Sequence, residues 1–305
     1  MRDLDGKVAI VTGAARGLGR CEALQLASQG ARLIINDLGV AGDGSGRDEE
    51  PARAVVDEIK QMGGEAVPHF GDVANWKDAE ALIGTALDHF GGLNILVNNA
   101  GFIRDRMPWN MSEEEFDSVV RVHLKGHFCP MRFAMIHWRE ASKRSGAPIY
   151  GRLINTASES YLFGSVGQPN YAAAKAGIVA ITMGAAQLLL KYGVTANVFI
   201  PRARTRMTSS GPLEAMFAKP EEGFDVFAPE NATPLVGYLA SPKAERISGY
   251  VFIIWNREVK IVSGPGIDAA FENDERWDLD SLHTALGPHF EKLEPVKDGY
   301  ALRSG

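Results

Sequence analysis

Residues 7–30, KVAIVTGAARGLGRCEALQLASQG, constrain the fold of this chain more than any other stretch. KVAIVT is an apolar run without polar alternation, the pattern of a strand buried on both faces. It passes through TGAARGLG into LGRCEALQLASQG, which reads as a helix closed by Gly30. A strand that turns through glycines directly into a helix needs a parallel partner strand on the far side of that helix. The next run, ARLIIND, supplies one. Further strand signals lie at EAVPHF, LNILVNN, GRLINT, VTANVFI and GYVFIIW, with helical stretches between them. Strands alternating with helices give an α/β fold: one doubly wound domain with a seven-stranded parallel sheet flanked by helices. No linker divides it, so residues 1–264 are expected to form one domain and 265–305 a C-terminal extension.

The glycines Gly13, Gly17 and Gly19 are spaced GxxxGxG between the first strand and the first helix, with Arg16 and Leu18 among them. Glycine lets a backbone approach a pyrophosphate, and a helix N-terminus offers free N–H groups and the positive end of its dipole. Asp37 ends the second strand, 24 residues beyond Gly13. A carboxylate there accepts hydrogen bonds from ribose hydroxyls and repels a 2′-phosphate, which favours NAD over NADP. Arg16 argues the other way, since a cation in the loop would meet that phosphate. Asp37 carries more weight because its charge falls at the 2′ position itself. Asp72, with Val73, ends the third strand and is placed to reach the adenine. Asn99, Ala100 and Gly101 of NNAG end the fourth. All these lie at strand C-termini, where ligands bind such sheets.

A nicotinamide cofactor implies hydride transfer, and hydride transfer from an alcohol needs a group to take the hydroxyl proton. Tyr171 and Lys175 of YAAAK are spaced i, i+4 and share a helix face. An ordinary phenol has a pKa of about 10, and a neighbouring ammonium favours the phenolate. Tyrosine then serves as general acid or base near neutral pH. Ser158, thirteen residues before Tyr171 and at the end of the fifth strand, offers a hydroxyl to hold the substrate oxygen.

Three irregular segments stand apart. Residues 39–51 (GVAGDGSGRDEEP) form a glycine-rich acidic loop, and 201–225 a long loop carrying Arg202, Arg204 and Arg206. Loops of that length are usually functional or mobile. Phe271, Trp277, Phe290 and Tyr300 of the tail favour docking onto the body or a neighbouring subunit. Ser112 and Glu115 make a capping box ahead of a helix that Pro130 should kink. Composition narrows the remaining classes. A net charge of −6 argues against a general nucleic-acid binder. Two distant cysteines, Cys21 and Cys129, suit a reducing compartment and make neither a metal site nor a disulfide framework. The N-terminal apolar run is too short for a signal peptide, and GIVAITMGAAQLLL is short of a membrane span. A cytoplasmic protein with no membrane span is expected.

TGAARGLG, NNAG, Ser158 and YAAAK, in that order, resemble the short-chain dehydrogenase/reductase family over about residues 5–255. The resemblance implies a Rossmann-type fold. It implies Tyr171 as the acid/base, Lys175 on the nicotinamide ribose as well as beside the phenol, and Ser158 as the substrate-orienting residue. Homodimers or homotetramers, assembled through the helices carrying RVHLKGHF and YAAAK, are also implied. Two departures matter. Where the family has an asparagine associated with a proton relay, this chain has His123, for which relay and simple packing both stand open. PRARTRMT (201–208) replaces the usual PG after the sixth strand and leaves Thr205 as the candidate nicotinamide contact. NDLG, RDRM, RVHLKGHF and TRMT further resemble the (3R)-hydroxyacyl-CoA dehydrogenase domain of peroxisomal multifunctional enzyme type 2, also called a 17-beta-hydroxysteroid dehydrogenase. That likeness implies a small-molecule substrate of acyl-CoA or steroid type. Arg202, Arg204 and Arg206 in one loop and Arg104 and Arg106 in another would suit the phosphates of coenzyme A. Phe217 and Ala218, with Met216, would cover the acyl or ring system.

Overall fold

The computed structural model describes residues 2–41, 44–205, 217–264 and 269–292. Eight strands form one sheet: β1 (Val8–Thr12), β2 (Arg32–Asn36), β3 (Ala66–His69), β4 (Ile95–Asn98), β5 (Gly151–Thr156), β6 (Val194–Pro201), β7 (Val251–Trp255) and β8 (Glu258–Val262). Their order across the sheet is β3-β2-β1-β4-β5-β6-β7-β8. The seven strands read from the sequence are all present and parallel. The sequence count is corrected by β8, which returns antiparallel to β7 after a two-residue turn. Asn256 in that turn has φ 52°, the positive value a tight hairpin requires.

Helices α1 (Gly17–Ser28), α2 (Glu50–Gln61), α3 (Trp76–Phe90), α4 (Glu113–Val120), α5 (Gly126–Ser145), α6 (Ser160–Phe163), α7 (Pro169–Leu189), α8 (Thr233–Ala240) and α9 (Leu279–Phe290) join or follow the strands. Side chains alternate across each strand. Ala9 and Val11 of β1 face one core with Leu26 of α1, Ile59 of α2 and Val236 of α8. Val8 and Ile10 face the other, with Leu82 of α3, Trp138 of α5 and Leu189 of α7. Trp138 is completely buried, and its Nε1–H donates to the Leu93 carbonyl at 2.8 Å, so the large ring leaves no polar atom unpaired.

Ser112 caps α4 through the expected box with Glu115. The expected kink at Pro130 takes another form. Between α4 and α5 the chain makes a π-helical turn, Arg121–Lys125, and Pro130 sits inside α5 beyond it. The irregularity therefore precedes the proline and falls on the turn that holds His123. α7 with its final 3₁₀ turn, Pro169–Tyr192, is long and apolar enough by length and composition to cross a bilayer, contrary to the shorter run read from the sequence. The helix begins eight residues before Gly177, with Pro169 in its first turn, and takes in the AAA of YAAAK. It packs on β6 and α4 within the domain.

In the extension, α9 has no buried residue, and Phe271, Trp277 and Phe290 are at least one-third exposed. Arg206, Met216 and Tyr300 lie outside the described residues.

Candidate active site

The reversal of strand order between β1 and β4 opens a crevice at the carboxyl ends of the strands. Its floor is closed by Thr12, whose hydroxyl accepts from the backbone N–H of Asn99 at 3.0 Å and of Ala100 at 3.1 Å. The Asn99 amide donates back to the carbonyls of Thr12 and Gly13. This approach is why two of the glycines are obligatory. A Cβ on Gly13 would lie 2.8 Å from Ala100 Cα, and one on Gly19 would lie 2.2 Å from the Gly13 carbonyl oxygen. Leu18, buried between them, anchors the first turn of α1 in the core. No side chain caps the N-terminus of α1, so its first N–H groups face the crevice without an internal side-chain partner. A glycine-lined cradle against a helix N-terminus fits the pyrophosphate of a dinucleotide.

Asp37 lies just past β2. Its carboxylate accepts from the backbone N–H of Ala15 at 2.9 Å and of Gly39 at 2.7 Å. Two carboxylate oxygens offer about four acceptor positions, so the pair of backbone bonds fixes Asp37 and leaves capacity for ribose hydroxyls. Arg16 reaches Asp48 in the inserted loop at 3.4 Å. That loop also lays Gly44 against the Phe102 ring. Asp72 is placed differently from the sequence expectation. β3 ends at His69, and the Asp72 carboxylate is held by the Ala74 N–H at 2.8 Å and by the Arg121 guanidinium. It ties the end of β3 to the π-helical turn. Val73 beside it packs against Gly126, where a Cβ would meet its Cγ2 at 2.8 Å.

Lys175 is buried on α7, and its Nζ donates to the Thr156 carbonyl at 2.7 Å. This bond brings the helix carrying Tyr171 to the end of β5, two residues from Ser158. Nζ lies 5.4 Å from the centre of the Tyr171 ring. Burial pulls the Lys175 ammonium down to about 7 from its ordinary 10.5. Ser158 Oγ accepts from the Ser160 N–H at 3.3 Å, which orients the turn entering α6. Thr205 is the last described residue before the 206–216 segment.

His123 is buried in the π-helical turn, its ring perpendicular to that of Tyr171 with centroids 5.0 Å apart. Its Nε2 meets the Phe102 carbonyl at 2.7 Å. A carbonyl only accepts, so Nε2 carries the proton. Burial first, then the nearby Lys175 charge, pushes the imidazolium down to about 3, and the ring is neutral. Gly101 is shaped by the same ring: a Cβ there would lie 2.1 Å from His123 Cε1.

The family model for short chain dehydrogenases matches residues 7–212. The chain belongs to the short-chain dehydrogenase family. It is an oxidoreductase acting on CH–OH groups, and the family uses nicotinamide cofactors. The chain is 46% identical over 298 residues to the hydroxyacyl-CoA dehydrogenase ChsB1 of Mycobacterium tuberculosis, covering 96% of this chain and 91% of that one. It is 39% identical to the peroxisomal multifunctional enzyme type 2 of Mus musculus over 80% of this chain and 31% of that longer protein. A crystal structure of a short chain dehydrogenase from Mycobacterium avium superposes with TM-score 0.83 at 44% identity, covering 96% and 97% of the two chains.

Within this short-chain dehydrogenase, sequence reading missed Thr12 and Thr156. The first had a signal in the threonine that precedes the glycine turn. The second acts through its carbonyl, which no side-chain motif reveals. Among the described residues, four of the arginines expected to meet CoA phosphates have partners inside the chain: Arg202 with Glu159, Arg204 with Asp225, Arg104 with Glu114 and Arg106 with Glu115. A groove of about 870 Å³ lies on the outer face of α4, the π-helical turn and α7, lined by Val120, Leu124, Phe128 and Ile181. Neither Ser158, Tyr171 nor Lys175 borders it, so it is not the reaction site.

Proposed function

We propose that this dehydrogenase uses NAD to oxidise the hydroxyl of a 3-hydroxyacyl-CoA thioester, sterol-derived acyl groups included, or to reduce the corresponding ketone. The observation that carries the reading is the likeness, over nearly the whole of both chains, to a hydroxyacyl-CoA dehydrogenase. When bound, the nicotinamide supplies the hydride acceptor. The chain's own residues do the rest. Gly13, Gly17, Leu18 and Gly19 form the pyrophosphate cradle, Asp37 holds the adenosine ribose, and Val73, Asn99, Ala100, Gly101 and Thr205 line the remainder. Ser158 fixes the substrate oxygen. Tyr171 Oη takes the proton in oxidation and returns it in reduction. Lys175 favours the phenolate and holds the nicotinamide ribose. His123, neutral and bonded to Phe102, is a positioning residue for the Tyr171 ring.

With Arg104, Arg106, Arg202 and Arg204 paired internally, the thioester reading rests on the relatives rather than on a phosphate site. It is tested by comparing kcat/KM for a 3-hydroxyacyl-CoA, a short thioester analogue without the nucleotide, and a free steroid alcohol. The CoA ester is expected to lead. A clear preference for the free steroid, or equal efficiency for ester and analogue, would remove the thioester.

NAD preference follows from charge at the adenosine end. Asp37 stands at the end of β2, and the one cation of the glycine loop, Arg16, is shared with Asp48. Asp37→Ser is expected to shift the NADP/NAD ratio of kcat/KM by roughly tenfold or more toward NADP, the scale of about 1.4 kcal/mol. Tighter binding of NADP by the unmodified protein would overturn the preference.

We also propose a homodimer or homotetramer through α4, α5 and α7. The groove on their outer face is apolar at its centre and rimmed by Glu113, Glu114, Asp117, Arg121 and Lys125, the layout of an interface. On this reading the exposed Leu279, Leu282 and Phe290 of the extension are available to the neighbouring copy. Light scattering at micromolar concentration should give at least twice the mass of the 33.0 kDa chain, and a monomer would contradict it. The two unpaired cysteines favour a reducing compartment, with the cytoplasm as the proposed location.

A further inference from the structure

Arg202 and Glu159 follow the carboxyl ends of the adjacent strands β6 and β5. Glu159 follows Ser158 directly and precedes the first residue of α6. Arg202 follows the last residue of β6, and its backbone N–H is fixed on the Ile254 carbonyl at 3.0 Å. The two side chains meet as a fork on a fork. Arg202 Nη2 donates to Glu159 Oε1 at 2.7 Å and Nε donates to Oε2. They are only 22% and 15% exposed. The guanidinium also lies over the Trp255 ring at 4.9 Å, and Trp255 stacks on Phe227, which meets Phe217. A bidentate, half-buried, stacked pair is geometrically determined in a way that an ordinary surface ion pair is not.

We propose that the Arg202–Glu159 pair is a positioning clamp for the reaction. It ties the turn that carries Ser158 to the chain leaving β6, so that the serine hydroxyl keeps one position beside Tyr171. The other side of the site is already fixed. α7 is held to the end of β5 by the bond from Lys175 to the Thr156 carbonyl. The Ser158 turn is held locally by the Ser160 N–H on Ser158 Oγ and the Tyr161 N–H on the Ser158 carbonyl, and at its start by the Ala157 N–H on the Phe199 carbonyl. Glu159 adds the side-chain ion pair that joins this turn to the chain leaving β6. Arg204 performs a separate task. It donates to the Phe217 carbonyl at 2.8 Å and pairs with Asp225, fastening the returning arm of the loop rather than the serine turn. Arg202 and Arg204 thus fasten two different segments.

The clamp deepens the dehydrogenase reading and depends on it, but not on the thioester. It is tested with whichever secondary alcohol the unmodified enzyme oxidises. Glu159→Gln keeps the shape and removes the charge, and Arg202→Met keeps the stem and removes the fork. Each is expected to lower kcat by about 10- to 100-fold, the effect of a catalytic group displaced by about 1 Å. NADH affinity, read by fluorescence, stays unchanged, because neither side chain belongs to the cofactor cradle. The double variant is expected to be no slower than the slower single one, since the pair acts as a unit. Wild-type kcat in both single variants overturns the clamp. So do additive losses in the double variant, or NADH binding that falls in step with turnover, which marks a merely structural pair. If Arg202→Met does not fold, Arg202→Lys completes the same cycle: the charge remains but the bidentate geometry is lost. Turnover of another alcohol with none on the thioester would end the thioester reading and leave the clamp measurable on that alcohol.

Discussion

Tyr171→Phe is expected to lower kcat by about 10³-fold or more while NADH affinity stays unchanged. A positioned acid or base contributes roughly 10²- to 10⁴-fold, and the Tyr171 phenol is the group proposed to fill that role. The ring itself has a separate role. It packs perpendicular to the His123 ring, and its helix turn precedes the buried Lys175, so phenylalanine preserves the packing while removing the hydroxyl. Stopped-flow reduction of NAD with saturating alcohol would measure the chemical step. Turnover within about tenfold of the unmodified enzyme would move the proton transfer to another residue.

Lys175→Met is expected to make the cofactor-free protein more stable and the enzyme inactive. Lys175 is 2% exposed and its ammonium is pulled down to about 7 by burial. The sign follows from proton binding. Below pH 7 the folded and unfolded lysines are both charged, and the full penalty of burying that charge is present. Between about 7 and 10.5 the unfolded chain binds more protons than the folded one, so stability rises with pH and the penalty fades. Its size is roughly 5 kcal/mol, from which the unmade bond to the Thr156 carbonyl takes back about 1–3 kcal/mol. Urea unfolding of the cofactor-free protein should therefore show Lys175→Met more stable by about 2 kcal/mol at pH 6, with the difference narrowing at pH 9. A variant less stable at pH 6, or a gain that grows with pH, would contradict the buried-charge account. NAD affinity should fall along with turnover, since the ammonium is the proposed ribose contact. An interaction kept against its own stability cost is expected where activity depends on it.

The readable and unreadable parts of this chain divide by range. The seven parallel strands were legible because each is a buried apolar run bounded by turn residues. The glycine loop, Asp37 and YAAAK were legible because a local spacing fixes their geometry. β8 was missed: EVKIV is short, charged and exposed, although the Asn256–Arg257 turn before it was a usable hairpin signal. The pairing of Arg202 with Glu159 spans 43 residues, and neither residue carries a mark of the other. The same holds for the bond between His123 and the Phe102 carbonyl, which settles the tautomer of an imidazole that sequence left between relay and packing. Asp72 shows the limit from the other side. It was read as the end of the third strand, but β3 stops at His69 and the Asp72 carboxylate is drawn to Arg121 on a turn that arrives much later in the chain.

The hairpin that adds β8 has a consequence for solubility. All of β8 except Val262 is exposed, and among the described residues no strand covers its outer edge. Val259 and Ile261 are more than half exposed on one face, while Glu258 and Lys260 pair with each other on the other. An open edge with free backbone donors and acceptors is a template on which another chain can add. The two charges alternate with the apolar residues at the spacing that discourages indiscriminate growth, the way gatekeeper residues blunt an aggregation-prone strand. At this edge, protection against strand addition thus falls to Lys260 and Glu258, residues of the hairpin rather than of the catalytic crevice.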